Sequence, residues 1–467
     1  EDGIRDRSPS RGLGDVYKRQ TFNNTNEWNP LIKYLEKGAL EFPNKTMFKM
    51  GDGNGKIIEQ FTYEETNQKS NQIANYLIEN CSINSEDKIG IFMLNSSEFV
   101  FSILATHKTG AIQVPVNKDE KGERLLYVIN YSEMKVLIID KSAIDLIKPI
   151  ADKFENLTKI FISGGEGDIP SNLGKIPCEE FELFNNGSID NPNVELTIAN
   201  KERCMFTSGT TGMPKGVVRE HGGVLMTVRS YIQHQGIRSD DTLMSVLSLG
   251  HANAQAMCLF AAIGAGCTAV FFPKFSASNF WKWAHDCGAT VTNFLGAVAE
   301  YLWSAKPSDH DQKHNIRIVL AGPAPRNLID FEKRFNVKIV EGYGSTEMGM
   351  PLWKSPEDSR VGSCGYPVEG YYLEIRNPEN IEEVIKPHWD PSIEEKPPES
   401  AKGLLFIRPN VPNTTLNEYF KDERRTREAF DDEGFFNSDD LFAAGTDGRY
   451  YFTVSYTHLT LPTKRIV

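Results

Sequence analysis

One stretch of the chain concentrates groups that bind anions. In Met205-Phe206-Thr207-Ser208-Gly209-Thr210-Thr211-Gly212-Met213-Pro214-Lys215-Gly216-Val217, four hydroxyls, three glycines and one lysine fall within ten residues. Glycines let a backbone approach an anion closely and tolerate positive φ, and successive N–H groups in such a turn form an anion-binding nest. The hydroxyls add donors and Lys215 adds charge, so Thr207, Ser208, Gly209, Thr210, Thr211, Gly212 and Lys215 read as a grip on phosphate. A lone Gly-rich turn is usually a surface loop, but the length and density of this run favour the phosphate reading. A Walker-type loop needs Gly-Lys followed by Ser or Thr. Here Pro214 precedes Lys215 and Gly216 follows it, which disfavours that ATPase class.

The run resembles the phosphate loop of the adenylate-forming superfamily, which includes acyl-CoA synthetases, luciferases and peptide-synthetase adenylation domains. Gly342-Tyr343-Gly344-Ser345-Thr346-Glu347, about 130 residues further on, resembles its second core motif. The resemblance implies that Tyr343 stacks on adenine, Thr346 bonds the α-phosphate and Glu347 helps hold Mg²⁺, with Gly344 and Ser345 beside the nucleotide. An aromatic face suits a base, and a carboxylate is a hard ligand for Mg²⁺. Gly322-Pro323-Ala324 matches the small turn laid against adenine, and also suits a helix entry. Asn437-Ser438-Asp439-Asp440-Leu441 matches the family's Thr-Gly-Asp run, in which the last Asp binds both ribose hydroxyls, here Asp440. The chain departs there: Ser438 stands for Thr and Asp439 for Gly, placing an extra carboxylate beside the nucleotide.

The implied reaction has two steps. A carboxylate attacks the α-phosphate of ATP to give an acyl-adenylate and pyrophosphate, and the acyl group then passes to a thiol, coenzyme A, with Thr346, Glu347 and Lys215 as the catalytic groups and none of them a covalent nucleophile. Two alternatives stay open: loading of an acyl-carrier protein, and a non-catalytic ATP-binding module. The acid pocket is expected to be lined by His251, Asn293, Gly296, Gly344 and Met348. Apart from Glu347, that neighbourhood offers no charged partner for a charged tail, so a short or medium acid is expected. The segments 274–281 and 290–292 look most like carnitine- or crotonobetaine-CoA ligases, and carnitine-like acids stay open.

The elements that must carry these motifs follow from periodicity. Apolar runs at 88–94, 112–115, 136–140 and 159–163 alternate with helical patterns at 98–109, 122–132 and 141–154. That βαβ rhythm implies a parallel sheet, and 164–200 reads as a long connection. The rhythm returns with strands at 204–208, 267–272, 290–293, 317–321 and 337–341 and helices at 221–235, 278–286 and 327–335. Beyond 362 the segments shorten and alternate, as in a smaller β-rich unit. Residues 377–402, with five prolines, read as an exposed insertion. The expected class is therefore α/β: the large N-terminal domain of the adenylate-forming fold, with α/β subdomains at 21–200 and 201–360 and a β-rich subdomain at 361–453. Residues 1–20 and 454–467 resemble translated sequencing-adapter read-through and are set aside. The resemblance also implies a further C-terminal domain of about a hundred residues, without which activity is expected to be lost or impaired.

The bulk numbers agree. A formal net charge of −12 argues against a nucleic-acid partner. Seven scattered cysteines with no C-x-x-C pair argue against a disulfide framework or zinc site and fit a reducing cytoplasm. The apolar stretch 252–272 is interrupted by Asn253, Gln255, Gly264 and Gly266, so a buried helix, a turn and a strand are expected rather than a membrane span. The oligomeric state is left open.

Overall fold

The computed structural model describes residues 28–164, 168–207 and 213–455. Two large sheets dominate. The nine-stranded sheet runs, in spatial order, Leu416–Tyr419, Lys215–Glu220, Lys201–Thr207, Ile112–Pro115, Lys88–Phe92, Val136–Asp140, Lys159–Ser163, Ile176–Glu180 and Asn172–Leu173. Its centre is parallel, and the strands at both edges are antiparallel. The seven-stranded sheet runs Lys338–Val340, Ile318–Gly322, Val291–Leu295, Thr242–Ser245, Thr268–Phe271, Thr46–Gly51 and Ile57–Thr62, parallel except for the last pair.

Side chains alternate across a strand, and here the alternation divides the interior. Val136 and Ile138 face the core shared by both sheets, while Leu137 and Ile139 face a separate core against the helix Gly122–Tyr131. In the other sheet, Leu243 joins the shared core while Met244 packs with Phe280, Trp283 and Phe331 on the far side. The shared layer holds the helices Ser97–Thr109 and His221–Gln235, in which nearly every residue is buried, the pattern of a helix apolar all round because it has sheet on both sides. The chain enters Tyr63–Cys81 through a capping box, Thr62 accepting from Glu65 N and Glu65 reaching back to Thr62 N. Such a cap is worth about 1 kcal/mol. Thr62-Tyr63-Glu64-Glu65 is thus structural, and the Tyr63 hydroxyl reaches the carbonyls of Ala262 and Cys267.

A three-stranded sheet (Gly342–Ser345, Gly349–Trp353, Tyr366–Pro367) and a five-stranded antiparallel sheet (Asn380–Val384, Tyr371–Asn377, Lys402–Pro409, Phe436–Ala444, Tyr450–Ser455) complete the molecule. Sheet membership does not follow chain order. Residues 46–62 pair into the seven-stranded sheet and 201–220 into the nine-stranded one, so the expected boundary at 200 does not separate the sheets. Three element readings also change. Residues 141–154 form a chain of short helical turns, the last of which has Pro149 in its opening positions. The connection 164–200 contains the strands Asn172–Leu173 and Ile176–Glu180. Lys215–Glu220 is a strand that the charges of Lys215, Arg219 and Glu220 conceal. Among the described residues no helix is long and apolar enough to cross a membrane, and all seven cysteines are free.

Candidate active site

The strands that flank the phosphate run, Lys201–Thr207 and Lys215–Glu220, pair antiparallel, with Thr207 directly opposite Lys215. Ser208, Gly209, Thr210, Thr211 and Gly212 lie outside the described residues. Thr207 Oγ1 is buried and has no hydrogen-bond partner among the described residues. Buried hydroxyls are normally satisfied, and a phosphate oxygen would satisfy this one. Lys215 Nζ lies 2.8 Å from Glu347 Oε1 and donates to the Tyr419 hydroxyl at 3.1 Å. That hydroxyl donates to Glu347 Oε1 at 3.0 Å, closing a triangle. Burial and then the Glu347 carboxylate push the Tyr419 phenol far above its usual range, so it stays a donor. The structure thereby brings together Lys215 and Glu347 and adds Tyr419. Tyr419 belongs to an edge strand about 200 residues downstream of Lys215, and no motif signalled it.

The Gly342–Glu347 motif is the first arm of a tight hairpin with Gly349–Trp353. A Cβ on Gly344 would lie 2.0 Å from the Gly349 carbonyl, which accounts for glycine there. The turn presents Thr346 to the cavity and tucks Glu347, 8% exposed, against Lys215. Tyr343 donates to Asp440 Oδ2 at 2.6 Å and meets Phe442 edge-on at 4.6 Å, so the residues expected at adenine and at ribose are coupled directly. Asp439 adopts φ 56°, the left-handed region that glycine favours and Asp tolerates among side-chain-bearing residues. The local ladder is irregular between Leu404 and Phe406, opposite this point. Loss of hydration and the neighbouring Asp440 raise the Asp439 pKa, with Lys215 opposing. Gly322 and Pro323 are exposed at the end of Ile318–Gly322. Ala324 N donates to Glu341 Oε1 at 3.1 Å.

A cavity of about 540 Å³ opens beside these groups, lined by Thr207, His251, Asn253, Gly344, Ser345 and Thr346, among others. Three residues expected in its lining are placed differently. Asn293 is buried and holds Asn253, which does line it, through its side-chain amide. Gly296 packs on Pro323, to which a Cβ would come within 3.1 Å. Met348 is buried in the shared core, where its carbonyl accepts from Tyr371 at 2.9 Å. The expectation of no charged partner also fails, because Glu120, Arg124, Arg203 and Arg219 line the cavity. Glu202 and Arg203, charged residues at the head of an otherwise apolar strand, were the available signal. Of the segments 274–281 and 290–292 that look like carnitine ligases, Phe280, Trp281, Val291 and Thr292 are buried.

Among the described residues no group of three or more His, Cys, Asp or Glu forms a metal cage. Mg²⁺ does not need one, because it usually keeps several waters and takes one or two carboxylates plus substrate phosphates. The single carboxylate of Glu347 fits that role.

Known proteins place this geometry. A crotonobetaine/carnitine–CoA ligase from Proteus mirabilis is 26% identical over 446 residues, covering 94% of this chain and 80% of its own. The crystal structure of an anthranilate CoA ligase in complex with anthranoyl-AMP superposes with a TM-score of 0.79 at 21% identity, over 92% of this chain and 78% of that one. A Mycobacterium tuberculosis fatty acyl CoA synthetase gives 0.76 at 22% identity, over the same shares. Those two likenesses establish the fold, that of the large N-terminal domain of adenylate-forming enzymes. The AMP-binding enzyme family matches residues 35–390, a span that includes the phosphate run and its flanking strands, the Tyr343–Glu347 turn and most of the cavity wall, and the chain belongs to that family.

Proposed function

We propose that the protein activates a carboxylic acid with ATP and Mg²⁺, releasing pyrophosphate, and transfers the acyl group to coenzyme A. The observation that carries this reading is that Thr207 and Thr346 both line the 540 Å³ cavity and both adjoin the Lys215–Glu347–Tyr419 triangle, Thr207 as the strand partner of Lys215 and Thr346 as the chain neighbour of Glu347. Family membership and the CoA-ligase relatives support it. The first step needs positioning and charge stabilisation rather than a protein nucleophile. Thr207 and Lys215, with Ser208–Gly212, hold the β- and γ-phosphates, and Thr346 donates to the α-phosphate. Tyr343 and the Gly322–Ala324 turn receive adenine, and Asp440, its carboxylate oriented by the Tyr343 hydroxyl, receives ribose. Glu347 would hold Mg²⁺, which when bound offsets phosphate charge. Because Glu347 already pairs with Lys215, binding exchanges a protein ion pair for two ligand contacts. His251, exposed at the cavity mouth, flanks the entering acid and thiol. The free cysteines fit a cytoplasmic setting.

The test is acid-dependent pyrophosphate release by the full native chain. Thr346→Ala and Glu347→Ala each lower it by about 10²–10³-fold, as loss of a donor aimed at transition-state charge does. An unchanged rate in either variant removes its assigned role. Product formed with free coenzyme A, and not only with a carrier protein, distinguishes the acceptor.

A further inference from the structure

The cavity wall carries Arg203 and Arg219, which the reaction above does not use; the wall's other charged residues, Glu120 and Arg124, pair with each other at 2.9 Å. Arg203 and Arg219 are direct partners across the two antiparallel strands that flank the phosphate run. Both are buried, and both line the cavity. Like charges directly opposite on neighbouring strands repel, and a buried guanidinium without a counter-charge is costly. Arg203 has a partial answer: Nε lies 3.2 Å from Glu202 Oε2, close enough to pair but not aligned to donate. Glu202 is shared with His107, 2.9 Å away. Arg219 forms no ion pair among the described residues, and donates from Nη2 to the Thr414 carbonyl at 2.9 Å. Arg219 Nε, and Arg203 Nε and Nη1, are buried without an acceptor among the described residues.

The space around Arg219 is shaped for it. A Cβ on Gly223 would lie 2.4 Å from Nη2, and one on Gly349 would lie 3.1 Å from it. The same ladder face reads Thr207 with Lys215, Met205 with Val217, then Arg203 with Arg219. Four residues of strand therefore separate the phosphate end from the arginines, about 13 Å. One cavity reaches from Thr346 to both.

We propose that the acid used by this site carries a second carboxylate, bound by Arg219 and Arg203 while the first is presented to Thr346. The inference rests on the ligase reading and narrows its substrate to short or medium dicarboxylic acids. Planar guanidinium donors match a carboxylate. A cationic tail like that of carnitine would meet the two unneutralised guanidinium groups, since the lining carboxylate of Glu120 already pairs with Arg124, and a simple fatty acid would leave Arg219 without a counter-charge.

Acid-dependent pyrophosphate release by the full native chain, measured on acids of equal carbon number, tests this. The pairs are butyrate with succinate and hexanoate with adipate, with carnitine as the cationic control. The diacid of at least one pair is expected to exceed its partner tenfold or more in kcat/KM, with carnitine lowest. In Arg219→Met the diacid-to-monoacid ratio falls about tenfold or more, to near or below one, and Arg219→Lys recovers part of it. Diacids no better than their partners, or a preference for carnitine, overturn this inference alone, and need no variant that must fold. A ratio unchanged in Arg219→Met also overturns it. No release with any acid overturns the ligase reading and this inference with it.

Discussion

Two buried cations in this molecule are treated in opposite ways. Lys108, on the central helix Ser97–Thr109, has a fully buried side chain and three acceptors for its three donors: Glu36 Oε1 at 3.3 Å, Asn67 Oδ1 at 2.8 Å and Asn191 Oδ1 at 3.2 Å. Burial lowers its pKa to about 8, with Glu36 resisting. Arg219 is equally sheltered, but it faces another arginine across the ladder and has one main-chain carbonyl as its hydrogen-bond acceptor among the described residues. Burial and then Arg203 lower its pKa to about 10. The Lys108 network ties the Leu31–Glu41 and Tyr63–Cys81 helices to the loop at Asn191, so its polar groups serve the fold. Arg219 brings donors to a cavity wall and leaves them there. Burial of a charge therefore does not by itself mark a site, whereas burial without a counter-charge beside a cavity does.

Stability measurements can break this contrast. The largest effect is expected for Lys108→Met, which strands the Asn67 Oδ1 acceptor, removes one of the three donors to Asn191 Oδ1 and takes a partner from Glu36, and should cost about 2–3 kcal/mol by urea midpoint, with the diacid-to-monoacid ratio unchanged. A smaller effect concerns the charges that flank Arg203. Burial, reinforced by His107 and Arg203, lowers His221 to about 3 from 6.5. Between those values the unfolded chain binds the extra proton, so stability falls as pH drops from 6.5 towards 3. Burial opposes ionisation of Glu202, but Arg203 and His107 outweigh it and hold its carboxyl at about 2 rather than 4.5. Its contribution is full above pH 4.5 and is lost as pH falls through 4.5 towards 2. The urea midpoint should therefore decline below pH 6.5, and His221→Asn should remove about 2 kcal/mol of that decline between pH 6.5 and 4.5. A parallel pH profile in the variant would contradict the neutral, buried imidazole. The smallest effect has the opposite sign: Arg219→Met replaces an unpaired buried charge with an apolar side chain and should raise stability by about 1 kcal/mol. A loss as large as that of Lys108→Met would mean that Arg219 is structural.

Most strands of the two large sheets were legible because both faces of a parallel strand are buried and its sequence is continuously apolar. The strand Lys215–Glu220 was not, because Lys215, Arg219 and Glu220 interrupt the run. Short turns at 141–154 mimic a helix because their apolar spacing is similar over so few residues. In the site, Tyr343, Thr346, Glu347 and Asp440 stand in local motifs and could be named in advance. Tyr419 and the Arg203–Arg219 pairing could not, since each depends on strand register between distant segments. Met348 shows the converse: it sits within the motif region, yet the hairpin turn sends it into the core.

The pairing of Thr46–Gly51 with Thr268–Phe271 has a consequence during synthesis. Its partner strand emerges more than two hundred residues later. At about 5–20 residues per second, Met47, Phe48 and Met50, all buried in the finished protein, wait on the order of 10 to 40 s on the ribosome without their sheet. The first strand among the described residues thus stays without this neighbour until the chain is more than half made.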